Sequence, residues 1–155
     1  MRRPIKRRKP LAPDFAYSST KVSQLINYTM EDGKKNTARR VVYGALDALK
    51  EKGNENPIDV LEAALKNTGP ALEVRSRRIG GATYQVPREV RPERKQALAY
   101  RWILGAARSR KGIPMHMKLA EELLAASKNE GEAVKKRDNT MKMAEANRAF
   151  AHFAW

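Results

Sequence analysis

Arg94, Arg101 and Arg108 recur every seven residues in this chain of 155. Seven residues is nearly two helical turns, so on a helix the three form a stripe drifting only about 20° per step. At a rise of ~1.5 Å per residue the stripe spans roughly 20 Å. Arg91 and Lys95 widen its beginning, and Arg110 and Lys111 extend its end. The chemistry open to such a row is charge neutralisation, because a guanidinium forks onto two phosphate oxygens and phosphates repeat along a nucleic-acid ridge. A solvated helix face also carries charges, but it usually mixes signs. Here only Glu93 lies close by to offset the arginines.

A second basic tract precedes the stripe. Leu72–Ile79, Gly80-Gly81 and Ala82–Val86 read as a hairpin, since a Gly-Gly pair tolerates the positive φ angles of a two-residue turn. Arg75, Arg77 and Ile79 lie on one pleat face, and Val74, Ser76 and Arg78 on the other. With cations on both faces, neither can pack wholly into an apolar core. Basic residues on an edge strand also serve simply to block aggregation. Tyr84 has a face on which a base could stack, although a strand aromatic more often packs. Lys34-Lys35 and Lys135-Lys136-Arg137 are secondary phosphate contacts or, taken alone, solvated surface.

Bond-making chemistry finds little support. His116 and His152 have no serine or carboxylate at a recognisable motif spacing and read as surface or packing histidines. Glu121 and Glu122 are sequence neighbours, so on a helix they point about 100° apart, which is poor geometry for a carboxylate pair. Gly80-Gly81 lacks the lysine and helix of a phosphate-binding loop. No cluster has metal spacing, and no cofactor or metal is expected. With no cysteine in the chain, disulfides and thiolate chemistry are excluded.

The formal net charge of +15 is localised. Residues 1–10 carry six cations (Arg2, Arg3, Lys6, Arg7, Arg8 and Lys9) and no acid, while residues 75–111 carry eleven against Glu89 and Glu93. The other 108 residues balance fifteen basic against fifteen acidic groups. Such placement suits a dense polyanion. No apolar run approaches the ~18–20 residues of a membrane span, and no apolar signal-peptide region follows the basic start. The expectation is a soluble intracellular protein of a single domain, residues 1–155.

The elements that must hold these groups are mainly helical. Pro4, Pro10 and Pro13 among basic residues make 1–17 an extended arm. Three helices are expected over 18–70. The first starts near Ser18–Thr20 and ends at Asp32-Gly33; the second runs from about Asn36 to Lys52. The third opens at Asn56-Pro57, an N-cap followed by proline at the first helical position, and closes at Gly69-Pro70. The hairpin occupies 72–90. It carries too little apolar surface to found a sheet, so it should project as an arm. Residues 91–155 supply a fourth helix from Pro92 to about Arg110, a fifth from Pro114, and a sixth from about Glu132 into 141–150. On the fifth, Leu119, Leu123 and Ala126 face inward, with Glu121 and Glu122 near solvent. Phe150, Phe153 and Trp155 should dock on the body or on a partner. The fold class is a six-helix bundle with a protruding two-stranded hairpin and a basic N-terminal arm.

Particular strings narrow the reading. Glu73-Val74-Arg75-Ser76-Arg77-Arg78-Ile79-Gly80-Gly81-Ala82-Thr83-Tyr84-Gln85-Val86-Pro87 resembles the signature of the bacterial-type small-subunit ribosomal protein S seven family. So do Ala133-Val134-Lys135-Lys136-Arg137-Asp138 and Met143-Ala144-Glu145-Ala146-Asn147-Arg148-Ala149-Phe150-Ala151-His152. Pro13-Asp14, Tyr17, Ile26-Asn27, Met30 and Gly33-Lys34-Lys35 match in order, so the resemblance covers residue 13 to the end. It implies a non-enzymatic structural constituent of the small subunit that binds the 3′ major domain of its rRNA and nucleates head assembly. It places the hairpin (Arg77, Arg78, Gly80, Gly81, Tyr84) near exit-site tRNA and mRNA at the subunit interface. It also implies contacts with small-subunit proteins nine and eleven, in a cytoplasmic bacterial ribosome or an organellar one, without homo-oligomerisation. Matching strings put rRNA contacts on Lys34, Lys35, Arg75, Arg77, Arg78, Arg91, Arg94, Lys95, Arg101 and Lys135-Lys136-Arg137; the N-terminal tract carries over only as a basic arm. Ala154 stands where the family commonly has arginine before the final tryptophan. The competing readings are an architectural protein whose basic hairpin enters a DNA minor groove, and an RNA-acting enzyme using His116 or His152.

Overall fold

The computed structural model describes residues 10–153. The cations Arg2, Arg3, Lys6, Arg7, Arg8 and Lys9 of the expected arm lie outside the described residues, as does Trp155.

Among the described residues six α-helices and one hairpin follow in order: α1 Thr20–Thr29, α2 Lys35–Glu51, α3 Pro57–Thr68, β1 Leu72–Ile79, β2 Ala82–Glu89, α4 Pro92–Ser109, α5 Met115–Ser127 and α6 Glu132–Ala146. A 3₁₀ segment, Arg148–Phe153, closes the described chain. The helices form where apolar residues recur at helical spacing. Val22, Leu25 and Ile26 of α1 and Val42, Leu46 and Leu49 of α2 meet Leu61 of α3 and Ile103 of α4. Leu119 and Leu123 complete this core from α5, which packs against α2, α3 and α4 and is the central helix. His116 sits at the crossing of α5 with α2, where a Cβ on Gly44 would come within 3.3 Å of the His116 Cβ. That is a packing role. α6 gives the core only small residues, Ala133 and Val134, and lies at its margin.

Tyr100 is the largest fully buried side chain. It stacks on Tyr28 at 5.1 Å and donates its hydroxyl to the Lys21 carbonyl and Gln24 Oε1, tying α4 to α1. Burial pushes its phenol far above the usual tyrosine range, so it stays a neutral donor.

Part of the stretch expected as an extended arm is folded onto the body. Residues 15–17 form a turn closed by Asp14, which is only 6% exposed. The Asp14 carboxylate accepts from the Tyr43 hydroxyl at 2.8 Å and from the Ala16 and Tyr17 amides. The Asn56 backbone does precede Pro57 at the start of α3, but its side chain makes no capping hydrogen bond. The larger correction is Glu122, which is 0% exposed rather than near solvent. Its carboxylate is used internally, at the junction of α4, α5 and α6.

The two strands pair in antiparallel register, Ile79 opposite Ala82 and Leu72 opposite Glu89. Gly80 and Gly81 take φ angles of +56° and +89°, as a two-residue hairpin turn requires. The base is pinned, because Val86 (2% exposed) and Pro87 are buried where the strands meet α6 beside Ala144.

Candidate nucleic-acid interface

Pro92 starts α4 immediately after the hairpin, so the chain order itself sets the base of the strands beside the first turn of the stripe. A groove of about 640 Å³ opens between them, lined by Arg75, Arg88, Arg91 and Arg94 with Glu73 and Glu89. Glu73 lies between two guanidiniums: Arg75 at 2.6 Å and Arg94 at 3.2 Å. Partial burial alone would raise the Glu73 carboxyl, but hydrogen bonds and Coulombic attraction from Arg75 and Arg94 hold it below the usual carboxylate range. One carboxylate for two arginines leaves net positive charge. These half-exposed pairs stabilise the fold little, ~0–1 kcal/mol each; what they do is orient two guanidiniums toward the groove.

Arg101 continues the row along the exposed face of α4, with no ion-pair partner among the described residues. The buried face of the same helix is Leu98, Ala99, Tyr100, Ile103, Leu104 and Ala107. Cation and core positions therefore separate as the seven-residue spacing demands. Arg108 ends the row, 2.8 Å from Glu31 and donating to the Thr29 carbonyl. It shares a second groove, of about 360 Å³, with Lys34 at the approach to α2, lined also by Glu31 and Asp32. Lys34 is thereby brought to the far end of the stripe, and Lys35 is exposed at the first residue of α2. Lys95 lies over Gly69 on the neighbouring side.

Other expected contacts are differently disposed. Arg78 is exposed near the hairpin tip, and Lys111 and Lys136 are exposed on their own elements. Lys135 pairs with Glu132 at 2.7 Å on the open surface of α6. Arg77 is half-buried and donates to the Phe153 carbonyl at 3.2 Å. Tyr84 is no free stacking platform: its ring packs 5.1 Å from Phe150 and 5.9 Å from Phe153. The aromatics at residues 150 and 153 thus dock on the hairpin, and His152 stacks on Phe153 at 3.8 Å.

Two of the expected contacts serve the fold. Arg110 bridges Glu121 at 2.9 Å and the buried Glu122 at 2.7 Å. Arg137 pairs with Asp138 at 2.6 Å, binds Asn129 Oδ1 at 2.9 Å and caps the Asn67 carbonyl at the end of α3. Their guanidiniums, still partly exposed, are held by contacts within the molecule.

Arg88, not among the cations expected from the sequence to bind RNA, lines the groove at the hairpin base. Its signal was available in the register, which sets it opposite Glu73. Arg148 also lines a cleft with Arg88 on the opposite side of the hairpin base.

Comparison with known proteins gives the family. Residues 1–148 match the family model described as Ribosomal protein S7p/S5e. The small ribosomal subunit protein uS7 of Heliobacterium modesticaldum is 57% identical over 148 residues, covering 96% of this chain and 95% of that one. That of Thermotoga neapolitana is 54% identical over 155 residues, the full length of both. That of Clostridium acetobutylicum is 57% identical over 148 residues, again 96% and 95% of the two chains. A helical body with one basic hairpin, a cationic helix and a family match over nearly its whole length lead to one conclusion: the chain belongs to the ribosomal protein S7p/S5e family, whose members are structural, non-enzymatic proteins of the ribosome.

Proposed function

We propose that this protein binds the 3′ major domain of small-subunit rRNA and nucleates assembly of the subunit head. The observation that carries the reading is the convergence of arginines from β1, β2 and the start of α4 on one groove, continued by Arg101 to the Arg108–Lys34 groove. Folded RNA offers closely spaced phosphates over such a length, and contacts of this kind fix position rather than read bases. Arg75, Arg88, Arg91, Arg94, Lys95, Arg101, Lys34 and Lys35 form the central footprint. Arg108, Lys111, Lys135 and Lys136 border it, and the cations of 2–9 extend it. Arg110 and Arg137 support it from within.

The hairpin tip, Arg78 to Thr83, is assigned to the neighbourhood of exit-site tRNA and mRNA. Small-subunit proteins nine and eleven are the expected protein neighbours, in a bacterial cytoplasmic ribosome like those of the relatives. No described helix is long and apolar enough to cross a membrane.

Charge reversal tests the footprint. Arg94→Glu with Arg101→Glu should weaken binding to a head-domain rRNA fragment at least tenfold more than Lys50→Glu with Lys52→Glu. Equal losses would show that the stripe is not the contact face. Duplex DNA competing as well as the rRNA fragment would favour the architectural DNA reading.

A further inference from the structure

We propose that the C-terminal segment Arg148–Phe153 is a clamp that sets the direction of the hairpin arm, with Tyr84, Phe150 and Phe153 as its positioning residues. The consequence for tRNA rests on the exit-site reading of the hairpin; the clamp itself rests on geometry alone.

A two-stranded hairpin is marginal in water unless something packs against it. Of the residues in both strands, only Val86 and Pro87 are buried, and both belong to the base. Higher up, the support comes from the 3₁₀ segment. Phe150 and Phe153 take the Tyr84 ring at tilts of 52° and 40°, distances typical of aromatic pairs. Arg77 stands directly opposite Tyr84 in the register and donates to the Phe153 carbonyl. Both strands are therefore held at one level, two residue pairs below the Gly80-Gly81 turn.

The dependence is mutual. The 3₁₀ segment has no buried residue of its own and packs mainly on β2, with a smaller contact to α6, so the hairpin is its chief support. Two weakly supported pieces that stabilise each other can open together without disturbing the helical core. The Arg148–Phe153 segment thereby controls how firmly the arm points.

The test is amide hydrogen exchange on the full-length protein, comparing the parent with Phe150→Ala plus Phe153→Ala. The clamp predicts exchange at Ser76–Gln85 faster by about tenfold or more, with α2 and α5 unchanged and rRNA-fragment affinity retained. Phe150→Tyr should keep parental protection. Unchanged hairpin exchange in the double variant would overturn the proposal. So would loss of protection spread equally over α2 and α5, because the segment would then be part of the body's stability. In reconstituted subunits, faster release of exit-site tRNA by the double variant links the clamp to function. Faster hairpin exchange with unaltered release upholds the clamp and removes the exit-site role.

Discussion

Replacing Glu122 with alanine should cost about 3 kcal/mol, a large fraction of the stability of a domain this size. The carboxylate is fully buried and serves three helices. One oxygen accepts from the Ala133 amide at 3.0 Å, in the first turn of α6. The other receives Arg110, the residue that follows α4, at 2.7 Å. Removing one partner of a buried ion pair costs ~3–5 kcal/mol. The lower end applies here because the Arg110 side chain is 31% exposed and keeps Glu121. The stranded Ala133 amide, at ~1–3 kcal/mol, is part of the same loss rather than an addition. For a chain of this length, ~3 kcal/mol lowers Tm by roughly 6–12 °C. Urea unfolding followed by circular dichroism measures it. Arg110→Ala should be at least as damaging, since it leaves the buried carboxylate without its cation. Arg110→Met with Glu122→Leu should cost less than either alanine variant, because no unpaired buried charge remains and Glu121 is left at the partly exposed surface. A Glu122→Ala variant within ~0.5 kcal/mol of the parent would refute the reasoning. So would alanine effects that simply add in the double alanine variant.

Two further outcomes follow from the hairpin and its base. The Glu73 carboxyl is held below its ordinary value of 4.5, so it stabilises the folded state above that value and the contribution fades as pH falls through the lower folded pKa. The urea midpoint of the parent should therefore drop more between about pH 5 and about pH 3 than that of Glu73→Gln, and parallel curves would contradict this. Gly81→Val forces a β-branched residue to φ +89°, so it should loosen the turn by ~1 kcal/mol or more while leaving the helical melting transition in place. Parental NMR shifts throughout Ser76–Gln85 in that variant would contradict it.

What was legible in the sequence was whatever is local. The 3.6-residue spacing of Val42, Leu46 and Leu49 gave a helix whose ends fall within a residue of those observed, and the Gly-Gly turn was placed correctly, although β2 runs on to Glu89, three residues past the expected Val86. The stripe of Arg94, Arg101 and Arg108 was legible for the same reason: its phase opposes that of Ala99, Ile103 and Ala107 on one helix. What was not legible depends on partners distant in the chain. Glu122 beside Glu121 reads as a solvated acidic pair until Arg110 and Ala133 are brought to it from other helices. Arg137 sits in a basic run and reads as a phosphate ligand, yet the Asn67 carbonyl and Asn129 claim it. Docking of Phe150 and Phe153 was expected, but that their site would be Tyr84 has no local sign. Asp14 looked like part of a flexible arm because its ligand, the Tyr43 hydroxyl, is 29 residues away.

The central claim is that cations from the hairpin base, α4 and the start of α2 act together on the phosphates of one folded RNA. Its most direct measurement is the salt dependence of binding to a 3′ major-domain rRNA fragment by the full chain. Neutralising ~6–10 phosphates predicts an affinity that falls by orders of magnitude between low and moderate ionic strength, with a visibly shallower slope for Arg94→Glu plus Arg101→Glu. A slope near one ion, equal in parent and variant, would contradict the account.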